Sequence, residues 1–271
     1  MPELPEVETT RRGIEAALQD QTVSTLIIRN PNLRWHVPAT IPGQVTKKRI
    51  LGVDRRAKYL LIELENGTLI LHLGMSGCLR LLPHDAPVTK HDHIDLVLSS
   101  GLCLRLNDPR RFGSLHWTTN DPNEHRLLNH LGPEPLTRAF SAKYLYEASR
   151  KRKTAIKTFI GDNKVVVGVG NIYASESLFI AGIHPTRPAN EISLEEYQLL
   201  SRAIKKTLKK AIQAGGTTLK DFRSSDGKPG YFQQKLKVYG RTDEPCPTCT
   251  HPIEDLVLTG RRTFYCPECQ R

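Results

Sequence analysis

Apolar residues near the start of the chain fall at Leu4, Val7, Ile14 and Leu18, roughly the spacing of one face of an α-helix. Pro5 suits the first turn of that helix, where a missing N–H costs nothing, and Glu6 and Glu8 complement the positive end of its dipole. From about 23 to 118 the texture changes to short β-type runs, "VSTLIIR", "YLLIELENGTLILHLG" and "IDLVLSSGLCLRL". "ENGT" at 65–68 lies between two apolar runs and predicts a hairpin with a type I′ turn. This part of the chain therefore reads as a mostly antiparallel β-sandwich with a helix at its start.

The stretch "TNDPNEHRLLNHLGPEPLT" at 119–137 is rich in turn residues and holds three prolines, which marks a linker. Helical patterns dominate from about 138 to 222. The clearest is "SLEEYQLLSRAIKKTLKKAIQAGG", with Ser193 as N-cap and Gly215 and Gly216 as stop. No internal repeat or low-complexity tract interrupts the pattern. The fold expected is α+β and multidomain. A β-sandwich domain with flanking helices spans 1–118, a linker 119–137, a helical domain 138–235 and a small terminal module 236–271.

Charge adds a partner. Lys and Arg total 39 against 28 Asp and Glu, a net charge of +11, and such an excess favours a polyanion, nucleic acid ahead of a membrane surface. No segment approaches the roughly 18 consecutive apolar residues of a membrane span. The N-terminus lacks the basic and apolar regions of a signal peptide. Cys78 and Cys103 lie in apolar runs and read as core thiols. The expected compartment is the cytoplasm.

The other four cysteines define a metal site. "CPTC" at 246–249 and "CPEC" at 266–269 are two knuckles, sixteen residues apart, and the intervening "THPIEDLVLTGRRTFY" alternates like a hairpin. Cys246, Cys249, Cys266 and Cys269 can thus surround one tetrahedral Zn²⁺ in a zinc ribbon. A disulfide pair or a redox motif fits a doubled knuckle in a cytosolic chain less well. Four thiolates leave no open position on the metal, so the ion is structural and any catalyst lies elsewhere.

Other motifs are less specific. "DNKVVVGVGNIYASESLFIAGIHP" at 162–185 lacks the third glycine and the βαβ setting of a dinucleotide loop. It reads either as a turn between helices that offers backbone N–H groups and Asn171 to a phosphate, or as a plain glycine turn with an Asn cap. "RKRKTAIK" at 150–157 is either a solvated face or a phosphate contact, and the latter gains from its neighbours. "HLGMSG" lacks the spacing of a nucleophile elbow. "KHDHIDL" at 90–96 suggests polar-face or phosphate contacts. "NDPRRFG" at 107–113 projects two cations and an aromatic, as a probe of a nucleic-acid groove requires.

Taken in order, "PELPEVE", "RRAKYLL", "HLGMSG", "KHDH", "DPRRFG", "LGPEPL", "GVGNIYASE", "GGTTLKDF", "DGKPGYF" and the paired CxxC knuckles resemble the bacterial formamidopyrimidine-DNA glycosylases, over nearly the whole chain. The resemblance implies excision of 8-oxoguanine and ring-opened purines from double-stranded DNA, followed by β- and δ-elimination at the abasic site. It also implies a β-sandwich, a helix–two-turns–helix domain and a zinc finger, with DNA held in the cleft between. A monomer bound to the bacterial nucleoid is the expected form.

That family uses an N-terminal proline as nucleophile, which is Pro2 here once Met1 is removed. An α-amino group titrates near 8, well below a lysine, so a usable fraction is neutral at pH 7. A neighbouring helix N-terminus disfavours the ammonium further. Attack of the secondary amine on C1′ gives an iminium whose fixed charge acidifies the C2′ proton. Glu3 matches the acid/base carboxylate and Glu6 a second acidic residue. Lys58 matches the lysine of β-elimination and Arg261 the zinc-finger arginine of δ-elimination, although Arg262 adjoins it. His91, Arg110, Arg152 and Asn171 match DNA contacts; the family has a lysine where Arg152 aligns. Met75, Arg110 and Phe112 match the trio that fills the hole left by an extruded nucleotide. "SSDGKPGYF" at 224–232 resembles a loop that closes over the extruded base.

Two rivals are weaker. An endonuclease VIII-like glycosylase for oxidised pyrimidines usually has Gly where Leu4 stands and lacks the Met–Arg–Phe trio. A DNA-binding module without chemistry would not need Pro2, Glu3, Lys58 and Arg261 together.

Overall fold

The computed structural model describes residues 2–215 and 236–271, so the 224–232 segment lies outside the described residues. The chain divides into two compact units, with a boundary between Asn129 and His130.

The first unit begins with α1 (Leu4–Leu18), whose N-cap is Glu3. The Glu3 N–H donates to Glu6 Oε2 at 2.8 Å and the Glu3 carboxylate receives the Glu6 N–H, a capping box that satisfies two otherwise orphaned donors. Pro5 sits in the first turn, as its missing N–H requires. Val7, Ile14 and Leu18 are buried, so the helical spacing in the sequence marks the face that meets the sandwich.

The sandwich is two four-stranded antiparallel sheets. One holds β1 (Val23–Ile28), β6 (Asp92–Leu98), β7 (Leu102–Asn107) and β5 (Cys78–Pro83) in the order β1-β6-β7-β5. The other holds β2 (Ile50–Arg56), β3 (Tyr59–Leu64), β4 (Gly67–His72) and β8 (Ser114–Thr118) in that order, and a short α2 (Ile41–Val45) precedes it. Leu26, Val53, Ile62, Leu71, Leu96 and Leu104 meet in the core between them. Side chains of this size contribute about 1.5–3 kcal/mol each when fully buried.

Two local expectations need correction. The β3–β4 hairpin exists, but Leu64 pairs with Gly67, so the turn residues are Glu65 and Asn66 and neither takes the positive φ of a type I′ turn. The reason lies outside the hairpin. Gly67 takes φ +154°, and a Cβ there would lie 2.4 Å from the Thr118 carbonyl oxygen and 2.6 Å from the Trp117 ring. Asn66 Nδ2 donates to the Gln44 carbonyl at 2.9 Å. The acidic and imidazole groups of "KHDHIDL" do not form a polar face either. Asp92, His93 and Asp95 are buried, and the two carboxylates are absorbed by Arg80, Arg29 and Arg105.

The second unit carries α3 (Ala142–Ser149), α4 (Ile156–Ile160), α5 (Asn171–Ala181) and α6 (Leu194–Gln213), followed by a hairpin of β9 (Glu254–Leu258) and β10 (Arg261–Tyr265). Ser193 caps α6 reciprocally with Glu196: Ser193 Oγ accepts the Glu196 N–H at 3.2 Å and Glu196 Oε2 accepts the Ser193 N–H at 2.8 Å. Gly215, just past α6, takes φ +76°, the left-handed stop that the sequence predicts. Cys103 is buried and Cys78 partly so.

Candidate active site and nucleic-acid interface

In the first unit, Pro2 and Glu3 are buried immediately before α1. Lys58 stands, half-buried, in the two-residue turn between β2 and β3, where Ala57 takes φ +54° and Arg56 pairs with Tyr59. One chain of polar contacts links that turn to α1. Glu8 of α1 accepts from Arg55 Nε at 3.1 Å, and Arg55 Nη1 donates to the Ala57 carbonyl at 2.7 Å. Burial pushes the Glu8 carboxyl up, but hydrogen bonds from Arg11 and Arg12 and the Arg55 charge hold it below the usual carboxylate range. The turn that presents Lys58 is thereby fastened to the helix that Pro2 and Glu3 immediately precede.

A cavity of about 780 Å³ opens on the same unit, lined by Arg34, His72, Met75, Arg110, Arg111 and Phe112, among others. Met75 lies in the turn after β4, and Arg110 and Phe112 in the turn after β7, where Phe112 is 41% exposed and the Arg110 guanidinium lies 5.0 Å from its ring centre. The two turns are nearly in contact: a Cβ on Gly74 would sit 2.3 Å from the Phe112 carbonyl carbon. His91, half-buried just before β6, has its ring 6.5 Å from that of His93.

His72 was not among the expected residues. Burial pushes its imidazole down to about 4, aided by the charges of Lys58 and Arg34. Its Nδ1 accepts the Gly74 N–H at 2.9 Å, so the neutral ring carries its proton on Nε2. The sequence signal was present in "HLGMSG", but a histidine at a strand end has no spacing pattern to distinguish it.

The second unit holds a cavity of about 370 Å³ lined by Arg152, Lys157, Asn171 and Arg261 with the N-terminal end of α5. Its three basic side chains and one amide give this cavity a positive lining suited to an anion. The basic run at 150–157 turns out to be divided. Arg150 serves the fold, donating to the carbonyls of Tyr146, Ala189 and Ile192. Lys151, Arg152 and Lys153 are exposed. Lys157 is buried, and its Nζ donates to Asn171 Oδ1 and Thr263 Oγ1, both at 2.6 Å. Asn171 Nδ2 in turn donates to the Arg262 carbonyl at 2.9 Å. The geometry also separates the two adjacent arginines. Arg262 is held by Asp255 through bonds of 2.7 and 2.8 Å, whereas Arg261 lines the cavity.

Cys246, Cys249, Cys266 and Cys269 bring their sulfurs within 4.8 Å of one another, with Cys246–Cys269 at 3.8 Å and Cys249–Cys266 at 3.4 Å. Tetrahedral Zn²⁺ with bonds of about 2.3 Å needs sulfurs about 3.8 Å apart. The donor set fits, and one structural zinc ties the strands of the β9–β10 hairpin to the preceding segment. Phe179, Val238, Ile253 and Phe264 form the small apolar cluster around it.

The basic cavity of the second unit, the arginine-lined cavity of the first and the cysteine cluster suit a polyanionic partner, and comparison with known proteins gives the chain a family. The formamidopyrimidine-DNA glycosylase N-terminal domain matches residues 1–115, the H2TH domain of the same glycosylases residues 131–223, and the zinc finger found in FPG and IleRS residues 243–271. The formamidopyrimidine-DNA glycosylase of Hydrogenovibrio crunogenus is 57% identical over 271 residues, covering 100% of this chain and 97% of the relative. That of Escherichia coli K12 is 56% identical, with 100% of each chain covered. The crystal structure of MutM (Fpg) from Thermus thermophilus has a TM-score of 0.89 at 41% identity, covering 99% of this chain and 98% of that one. Lactococcus lactis Fpg in complex with abasic-site DNA has a TM-score of 0.92 at 35% identity over 100% of both chains. The chain belongs to the formamidopyrimidine-DNA glycosylase family.

Proposed function

We propose that the chain removes oxidised purines, 8-oxoguanine and formamidopyrimidines, from double-stranded DNA and then cleaves the abasic strand by β- and δ-elimination. Pro2, freed by loss of Met1, is the nucleophile. Its neutral amine attacks C1′ as the base departs, and the resulting iminium withdraws electrons so that the C2′ proton is lost and the 3′ phosphate leaves. Glu3 protonates the sugar ring oxygen and moves protons during elimination. Lys58 assists the β-elimination and Arg261 the δ-elimination that expels the 5′ phosphate. His91, Arg110, Arg152 and Asn171 contact DNA, and Met75, Arg110 and Phe112 fill the stack. The functional parts are a catalytic domain at 1–118, a linker at 119–137, a DNA-binding helical domain at 138–235 and a zinc finger at 236–271. The working protein is a cytoplasmic monomer; no helix among the described residues is long and apolar enough to cross a membrane.

The observation that supports this reading most is that α1 gathers the chemistry of the first unit. Glu3 caps the helix in a box with Glu6, Pro2 is buried just before it, and Glu8 of the helix reaches the turn of Lys58 through Arg55. Borohydride trapping on an 8-oxoguanine:cytosine duplex tests it. A covalent adduct is expected with the wild type, and none with Pro2→Gly or when Met1 is retained. No adduct from correctly folded wild-type protein sinks the proposal, and a preference for an oxidised-pyrimidine duplex redirects it to the sister class.

A further inference from the structure

The turns that bear Met75, Arg110, Phe112 and His91 are three separate loops, and one buried residue, Asp108, hydrogen-bonds to each through its side chain or main chain. Asp108 has no exposed surface. Its Oδ1 accepts from Ser76 Oγ at 2.8 Å and from the Arg110 N–H at 3.3 Å, and its Oδ2 accepts the Gly113 N–H at 2.7 Å. The first bond holds the residue next to Met75, and the other two bracket Arg110 to Phe112. Its main chain completes the set. The Asp108 N–H donates to the His91 carbonyl at 3.0 Å, and its carbonyl accepts from His93 Nε2 at 2.8 Å.

We propose that Asp108 is a positioning residue that sets Met75, Arg110 and Phe112 in one rigid wedge, so that they enter the stack together when a nucleotide is extruded. The role rests on the glycosylase reading above and deepens it. Three features make the register depend on this carboxyl rather than on the loops themselves. Arg111 takes φ +57°, a left-handed conformation that a non-glycine residue holds only when its surroundings enforce it. Arg110 and Phe112 are exposed, so neither is anchored as a buried core side chain is. Gly74 leaves no room for the Met75 loop to move toward Phe112. A wedge that fluctuated would refill the vacated space less often, and extrusion costs a few kcal/mol that refilling must offset.

Asparagine keeps the size of the side chain but turns one acceptor oxygen into a donor facing a donor, either Gly113 N–H or Arg110 N–H. The test compares trapping rates on two substrates, an 8-oxoguanine:cytosine duplex and a single-stranded oligonucleotide with an abasic site. The single strand has no stack to wedge, so it reads the amine chemistry alone. Wild-type protein that traps on neither overturns the glycosylase reading itself. With wild-type activity present, Asp108→Asn is expected to lower the duplex-to-single-strand ratio about tenfold, the scale of one buried acceptor lost. Ser76→Ala removes one bond and is expected to lower the same ratio about threefold. An unchanged ratio in both variants, or a parallel fall on both substrates, overturns the proposal. Because each value is a ratio within one preparation, a partly unfolded variant still gives an answer.

Discussion

Arg105 lies wholly inside the first unit with its guanidinium along the Asp95 carboxylate, Nε and Nη2 each 2.9 Å from one oxygen. Its third nitrogen donates to the carbonyls of Ala86 and Pro87. Asp92 stands 3.7 Å from the same group, and Arg29 reaches Asp95 from the other side. Removing the central cation leaves two buried carboxylates short of partners, a loss of about 3–5 kcal/mol. Arg105→Leu is therefore expected to lower the denaturation midpoint sharply in urea, and an unchanged midpoint contradicts the account.

Lys157 makes a comparable prediction for the second unit. Lys157→Met leaves Asn171 Oδ1 and Thr263 Oγ1 without their shared donor, at a cost of about 2–3 kcal/mol. Asn171 also loses its orientation beside the anion cavity. Affinity for lesion-free duplex should fall, and the slope of log affinity against log salt should flatten, because one phosphate contact weakens. A variant with wild-type affinity and slope would show that the lysine serves stability alone.

Zinc removal has a local outcome. The cluster of Phe179, Val238, Ile253 and Phe264 is too small to fold the terminal module alone, and structural zinc contributes about 10–16 kcal/mol in such modules. A strong chelator, or Cys249→Ser, is expected to take the metal content below one ion per chain and abolish duplex binding. The sandwich should still unfold cooperatively by circular dichroism. Binding that survives complete metal loss would refute this.

Two histidines predict a pH window. Burial pushes His72 and His116 down to about 4, with the charges of Lys58 and Arg34 adding at the first and those of His125 and Arg126 at the second. Between about 4 and the unperturbed value near 6.5, the unfolded chain binds protons that the folded chain refuses. Stability is thus fully present above 6.5 and declines as the pH falls toward 4. Urea midpoints at pH 7.5 and pH 5 measure it, and His116→Gln should shallow the decline. An NMR titration of His72 with a midpoint near 6.5 would refute the assignment.

Much of this was legible in the sequence because it depends on local order. The β-type apolar runs "IDLVL" and "YLLIEL", the Ser193 cap and the cysteine knuckles each determine structure within a few residues. What was not legible depends on partners distant along the chain. "ENGT" could not reveal that Trp117 and Thr118 would require a glycine one position earlier in the ladder. Lys157 read as one cation among five until Asn171 and Thr263 met it. Asp92 and Asp95 read as polar-face residues because their arginines lie on other strands and loops.

Glu176, buried in α5, accepts the backbone N–H groups of Lys237, Val238 and Tyr239 at 2.9–3.0 Å. Those amides belong to the stretch that leads into the zinc-binding hairpin. A carboxylate of the helical segment therefore supplies the anchor for the segment that enters the finger. Anyone building chimaeras between family members should treat residues 130–213 and 236–271 as a single cassette. A crossover placed between α5 and Lys237 joins a finger to an anchor selected for a different one.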